Sequence, residues 1–475
     1  MTKAVVVGSG PNGLAGGIRL AQEGIEVLVL EAAGRVGGGT RTSELTVPGV
    51  LHDDCSAFHP TGVASPYLKS LDLGRFGLEW LWPEVDLAHP LDDGRAGVIV
   101  RGRMERTKES VGVDGDSWER LFSAHVRNFD RVVPEVFQPV LHVPRHPVAL
   151  GRFGPRALLP GTVVTRRFRD EPAKALFLGV AAHAFGRLDT PLSGSVGMLL
   201  AAAAHAVGWP VAKGGSGSIA TAMVALLESL GGEVRTGVNV TSLAQLDELL
   251  GARPDIVLLD TAPAGVLRIV GDELPSRVRR AFTKYEYGPA VHKVDYAIDG
   301  DVPWTNEDCR RAGTLHLGGT ATEIAQIEAA TGRGEMPTRP FVLLGQQYLA
   351  DPSRSSGPVN PVWAYAHVPA GYSGDATEAV TAQIERFAPG FRDRIVATHS
   401  RTATDMAAYN ANYIGGDIGA GANTARQIAF RPRIALNPYT TGVDGVYLCS
   451  SSTPPGGGVH GMSGFNAAET ALKRL

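Results

Sequence analysis

Three glycines and one carboxylate define the first chemistry this sequence can do. Gly8, Gly10 and Gly13 stand in Gly-Ser-Gly-Pro-Asn-Gly, and Glu31 follows 18 residues after Gly13. Gly8 permits a tight turn, Gly10 lets the backbone approach a diphosphate, and Gly13 lets a helix pack closely on a sheet. Pro11 and Asn12 lie in the turn that leads into that helix, whose N-terminus presents free N–H groups and a partial positive charge to the phosphates. Glu31 stands where a carboxylate accepts hydrogen bonds from ribose hydroxyls, and an acid there disfavours a 2′-phosphate. FAD or NAD is therefore expected over NADP. An ordinary NAD dehydrogenase continues with a helix after this point. Here three consecutive glycines, Gly37 to Gly39, lie between Arg35 and Arg41. Such a loop can wrap a second side of a diphosphate.

The elements that must position these residues are legible as a βαβ unit. Ala4 to Val7 is a continuous apolar run, as in a strand buried on both faces of a parallel sheet. Leu14 to Glu23 reads as a helix ended by Gly24, and Ile25 to Leu30 as the second strand. Near residue 213, Lys213-Gly214-Gly215-Ser216-Gly217-Ser218 precedes an apolar helix over 219–230 and a strand over 233–240. Asp255 to Pro263 reads as another buried strand. At the C-terminus, Gly445 to Cys449 is a short strand, Ser450 to Gly458 a tight loop, and Phe465 to Leu475 a last helix reached through Gly461 and Met462. That helix end can stabilise negative charge building on a reduced flavin.

The segment after Glu31 resembles the FAD-binding loop of the amine oxidase and phytoene desaturase flavoprotein superfamily, E-x-x-x-R-x-G-G-R-x-x-T. Glu31, Arg35, Gly37, Gly38 and Thr42 match. Gly39 replaces the family's second arginine, and Arg41 is the candidate to take over its phosphate contact. The loop's implied cofactor contacts are Ala32, Arg35, Gly38, Gly39, Thr40 and Arg41. The 213–243 segment is similar to the family's G-G-x-G helix and following strand, which implies an adenine contact from the backbone of Val240. The closing segment, Ser452-Thr453-Pro454-Pro455-Gly456-Gly457-Gly458 and the turn to Gly464, is similar to the last motif of the phytoene desaturases.

The resemblance implies an α/β fold with a discontinuous Rossmann-like FAD domain over 1–79, 213–284 and 426–475. A mixed α+β substrate domain would take 80–212 and 285–425. In it, helical stretches are expected at 118–133, 173–185 and 196–207, and strands at 291–298, 341–349 and 363–369. The implied activity is FAD-dependent dehydrogenation of an apolar, carotenoid-like or other hydrophobic substrate, with O₂ or a quinone reoxidising the flavin. A flavin amine oxidase, a redox-neutral polyene isomerase and a non-catalytic flavin-binding scaffold remain open. The amine oxidase branch usually cages its substrate with aromatic residues, and the C-terminal turn offers none. A flavin carries the hard chemistry itself, so no catalytic side chain is required. His59, where the family has D-x-G-P beside the flavin, and His460, at the end of the last loop, are candidates to line the pocket.

Composition narrows the classes further. A net charge of −3 over 475 residues excludes a nucleic-acid binder that works by overall basic charge. Cys55, Cys309 and Cys449 are too scattered for a disulfide framework, which fits a reducing compartment. His142 and His146 have helical metal-ligand spacing, but Pro144 and Pro147 break the helix, so no metal is expected. No G-x-S-x-G is present, which argues against an α/β-hydrolase. No secretory apolar region and no spanning helix is read, so the expected location is the cytoplasm, with peripheral membrane contact left open.

Overall fold

Apolar runs separated by glycine turns build two sheets from distant parts of the chain. The computed structural model describes residues 2–475. The strands of three residues or more are β1 (Lys3–Val7), β2 (Glu26–Leu30), β3 (Val85–Pro90), β4 (Ala96–Ile99), β5 (Glu233–Arg235), β6 (Ile256–Leu259), β7 (Ala290–Asp299), β8 (Ala312–Leu317), β9 (Val342–Gly345), β10 (Val359–Val368), β11 (Ile395–Arg401) and β12 (Val446–Leu448). The helices that matter below are α1 (Pro11–Gln22), α2 (Gly115–Arg127), α3 (Phe129–Val136), α4 (Pro147–Ala157), α5 (Glu171–Ala181), α6 (Gly194–Ala206), α7 (Gly217–Ser229) and α8 (Met462–Leu472).

The first sheet is parallel throughout, in the order β12-β6-β1-β2-β5. β1 and β2 are buried beyond their first residues, as a sheet covered on both faces requires. Its five strands come from the start, the middle and the end of the sequence. The second sheet has the order β11-β7-β10-β9-β8-β3-β4 and is antiparallel except where β3 meets β8. The chain is thus α/β with a Rossmann-like part and a mixed-sheet part.

Several expected elements shift. The strand expected over 233–240 ends at Arg235, because Gly237 takes a left-handed φ of 75° and turns the chain out of the sheet. Val240 consequently sits in a loop. The last helix starts at Met462 rather than Phe465, because Gly461 at φ 67° forms its N-cap. The stretch 118–133 divides into α2 and α3 at Asn128. The 80–212 region, expected to be helical, also supplies β3 and β4 to the second sheet.

α1 and α8 cross closely over the first sheet. A Cβ on Gly464 would stand 1.7 Å from the Asn12 carbonyl oxygen, and one on Gly16 3.2 Å from the Gly464 oxygen. Backbone therefore meets backbone here, and neither helix can give way cheaply. Gly464→Ala is expected to cost about 3 kcal/mol or more, whereas Lys473→Ala, exposed just past the same helix, stays within about 0.5 kcal/mol. Denaturant unfolding of the two variants checks this.

Candidate functional site

One cavity of about 800 Å³ runs from the tip of β1 to the face of the second sheet. Its first lobe is the Rossmann end. β1 stops at Val7, Gly8 turns at φ 104°, and α1 begins at Pro11 with Gly10 as an N-cap that makes no side-chain hydrogen bond. Pro11 has no N–H and Asp260 takes that of Gly13, so the Asn12 N–H is the one left at this helix end for something else to satisfy. Gly8, Gly10, Pro11, Asn12, Glu31, Ala32, Gly38, Gly39, Thr40, Arg41 and Val240 all line this cavity.

The glycines act partly through a residue the sequence reading did not single out. Asp260, just past β6, lies beneath the loop. A Cβ on Gly10 would come within 2.6 Å of Asp260 Oδ2, and one on Gly8 within 2.8 Å of the Asp260 carbonyl oxygen. The Gly13 N–H donates to Asp260 Oδ2 at 3.0 Å, so Gly13 sits behind the cavity wall. Burial pushes the Asp260 carboxyl up to about 7, with the nearby Glu31 charge adding to the shift.

Glu31 is buried and fully engaged. One carboxylate oxygen accepts from Ser9 N–H at 3.0 Å and Ser9 Oγ at 2.6 Å; the other accepts from Ala33 N–H at 2.9 Å and Arg41 at 3.3 Å. Arg41 is buried on the wall, donating also to the carbonyls of Val36 and Arg35. Arg35 points the other way. Its guanidinium bonds Asp54, Ser43 and the Thr42 carbonyl and does not reach the cavity. The phosphate role that the resemblance implied for Arg35 is corrected accordingly: the buried Asp54 carboxylate draws the side chain away.

The C-terminal loop forms the opposite wall. Gly456, Gly457, Gly458 and His460 line it, while Gly461 and Met462 lie just behind. The Met462 N–H is not open to a ligand, because His460 Nδ1 accepts it at 3.1 Å. The other ring nitrogen, Nε2, lies 3.1 Å from the Gly456 carbonyl. Both nitrogens are used, and burial lowers the ring to about 4, so His460 is a neutral brace for the loop. His59 is not on the wall. Its Nε2 meets Ser216 Oγ at 3.1 Å, its ring packs against Trp80, and burial lowers it to about 4. The pocket role expected of it passes to its neighbours Phe58 and Pro60.

Arg431 is a second group not singled out from sequence. It is 3% exposed, lines the cavity and bonds Asn423 Oδ1 and the Gln427 carbonyl. It makes no salt bridge among the described residues. A buried cation on a cavity wall without a paired carboxylate fits an anionic ligand. Asn12 Oδ1 and Thr261 Oγ1, both buried on wall residues, also lack partners. Glycine cradle, open helix end, ribose-type acid and lone buried arginine together fit a dinucleotide diphosphate.

The second lobe is aromatic and aliphatic. Phe58, Phe137, Phe185, Trp209, Trp363 and Tyr365 line it, with Leu199 and Leu200 from α6. These aromatics come from several elements, not from the C-terminal turn where the sequence reading looked for them. No carboxylate lies on this lobe; the cavity's acids, Glu31 and Asp260, both belong to the first. His183 is its histidine. Burial lowers it to about 3, and its Nε2 lies 2.9 Å from His316 Nε2, so the pair is neutral. Behind Trp363, the fully buried Lys293 ion-pairs with Asp295. Elsewhere, His142 is held by Glu135 at 2.7 Å.

Comparison with known proteins places this geometry. A family model described as an NAD(P)-binding Rossmann-like domain matches residues 6–71. The pyridine nucleotide-disulfide oxidoreductase domain-containing protein 2 of Mus musculus is 24% identical over 560 aligned positions, covering 99% of this chain and 93% of that protein. A hydroxyneurosporene desaturase of Cereibacter sphaeroides is 30% identical over 295 positions, 57% of this chain and 56% of the desaturase. A putrescine oxidase solved with putrescine superposes with a TM-score of 0.62 at 15% identity, covering 100% of this chain and 98% of that one. Residues 6–71 thus match a Rossmann-like domain, and the whole chain shares the fold of the putrescine oxidase.

Proposed function

We propose that this chain is an FAD-dependent oxidoreductase that dehydrogenates an apolar substrate. One observation carries the reading: a single cavity joins a dinucleotide-shaped lobe to an uncharged aromatic lobe. FAD, when bound, supplies a hydride acceptor. The α1 N-terminus and the Gly8–Asn12 turn would hold its diphosphate, Glu31 would exchange Ser9 for ribose hydroxyls, and the Val240 loop would flank the adenine. Arg431 and the Gly456–His460 loop would hold the other end. Phe58, Phe137, Trp209 and Tyr365 exclude water from the reacting centre. Neutral His183 leaves that lobe without charge, which suits a hydrocarbon-like substrate. The desaturase relative supports this assignment, and O₂ or a quinone is the proposed electron acceptor.

A second reading, an amine oxidase, rests on the aromatic walls Trp363, Tyr365 and Tyr413, which would stack on a cationic or aliphatic amine. The acid-free substrate lobe weighs against a diamine.

The first test is the absorbance of the purified protein. Bands near about 375 and 450 nm that bleach on anaerobic photoreduction and return in air are expected. A colourless protein that takes up no added FAD overturns the proposal. Anaerobic mixing with a polyene or with a primary amine then separates the two readings, since only a substrate bleaches the flavin. A redox-neutral isomerase would instead need pre-reduced flavin.

Two substitutions probe the cofactor lobe. Arg431→Met is expected to weaken FAD binding by about tenfold to a hundredfold, as for a lost hydrogen bond to charge. Arg35→Gln leaves it nearly unchanged, and FAD titration by fluorescence reads both. Asp260 provides a pH test. Its folded pKa of about 7 lies above the unfolded 3.8. Its contribution to stability is therefore complete below about pH 4 and is lost as pH rises through about 7. Asp260→Asn removes that loss, so its thermal stability exceeds that of the wild type increasingly as pH rises, by about 2–4 kcal/mol above neutrality.

A further inference from the structure

The stretch from 136 to 169 contains six arginines and no Asp, Glu or Lys, in a chain whose net charge is −3. The same stretch exposes Val140, Leu141 and Val143 at 59%, 60% and 90%. They sit in the loop between α3 and α4, and Val148 and Leu158 add further exposed apolar surface. The loop is built to hold its tips outward. Glu135, itself buried, grips it twice, bonding the His142 ring at 2.7 Å and the His146 N–H at 2.7 Å. Beside the tips, Arg131, Arg145 and Arg152 surround a groove shared with Val148, and none of the three is in a salt bridge among the described residues. Of the acids that flank the stretch on the surface, Asp130 is paired with Lys69 and Asp170 with Arg95. The loop starts at the cavity itself, since Val136 and Phe137 line the wall immediately before it.

We propose that the α3–α4 loop and α4 dock this protein on an anionic lipid bilayer, with Val140, Leu141 and Val143 in the acyl boundary and the arginines on the headgroups. A bilayer is the occupant that satisfies both chemistries at once. A soluble polyanion would engage the arginines and leave the apolar tips in water. A second copy of this chain would bury the tips but bring like charges together. Docking brings the Phe137 wall of the cavity next to the membrane. The use of that position to load an apolar substrate rests on the proposed function; the docking itself does not.

The test uses the full FAD-loaded chain and sedimentation with lipid vesicles. Vesicles of phosphatidylcholine mixed with phosphatidylglycerol are expected to carry the protein down, and phosphatidylcholine alone to carry far less. Val140→Ser/Leu141→Ser/Val143→Ser should reduce partitioning by about tenfold or more. Arg131→Gln, Arg145→Gln and Arg152→Gln should each reduce it by about fivefold, an effect that added salt erases. All six positions are on the surface, and the flavin spectrum verifies that each variant is folded. Wild-type protein that stays in solution with anionic vesicles overturns the proposal. So does a serine triple variant that sediments like the wild type, or one that converts a lipid-free dimer to a monomer. Vesicle binding by protein that takes up no FAD would sustain the docking surface and sink the oxidoreductase reading, so the two fail separately.

Discussion

A fully buried guanidinium holds the cavity's walls in place. Arg354 is 0% exposed and bonds Asp53 at 2.5 Å, Asp351 at 3.2 Å and the Ala212 carbonyl at 2.7 Å. Asp53 in turn accepts from the Ser216 N–H and from Thr42. Asp54, next to it, takes Arg35 and Arg401. Four chain segments that are far apart in sequence thus meet on one charge network. They are the strap that follows the cofactor loop, the turn into α7, the turn into β10, and the end of β11. Removing one partner would leave an uncompensated charge in the interior, which is far costlier than the pair is stabilising. The network ties the strap and the turn into α7 to the turn into β10, and the cavity lies between the two sheets.

The two lobes differ in electrostatics because different residues line them. The Rossmann end carries an open helical N–H at Asn12, two acids and two buried arginines, all arranged around where a diphosphate and a ribose would lie. The sheet end carries rings and aliphatic chains, and its histidines are desolvated and neutral. Charged groups therefore stop where the substrate lobe begins. A charged substrate entering that lobe would lose its hydration without a counter-charge, a cost that an apolar one does not meet.

How much of this was legible in the sequence follows from the range of the interactions. Gly8, Gly10, Gly13 and Glu31 belong to one local βαβ unit, where spacing determines geometry, so their placement could be read directly. Arg35 could not. Its partner Asp54 lies beyond the loop, and only the folded strap brings it close. Asp260 and Arg431 are single polar residues in stretches read for their apolar pattern or their family likeness, and their role appears only when β6 and the C-terminal loop come under the glycine turn. The apolar Val234, Val238 and Val240 read as one strand, yet Gly237 turns the chain out of the sheet before Val240. β3 and β4 form a local hairpin, with Pro90 opposite Ala96, that the helical reading of this region passed over; only the pairing of β3 with β8 is long-range and lies beyond any window of sequence.

Averages over the chain conceal what segments do. A net charge of −3 argues against a large anionic partner, and the calculation is sound for the molecule seen from afar. Within about a Debye length of the surface it no longer holds, because screening leaves each patch to act on its own. The arginine-only stretch after Phe137 is such a patch, and its apolar tips make it amphipathic rather than merely basic. Among the described residues no helix is long and apolar enough to cross a membrane. Spanning and docking are separate physical problems: the first needs a long continuous apolar helix, the second only a few side chains held outward by a buried anchor, as Glu135 holds this loop.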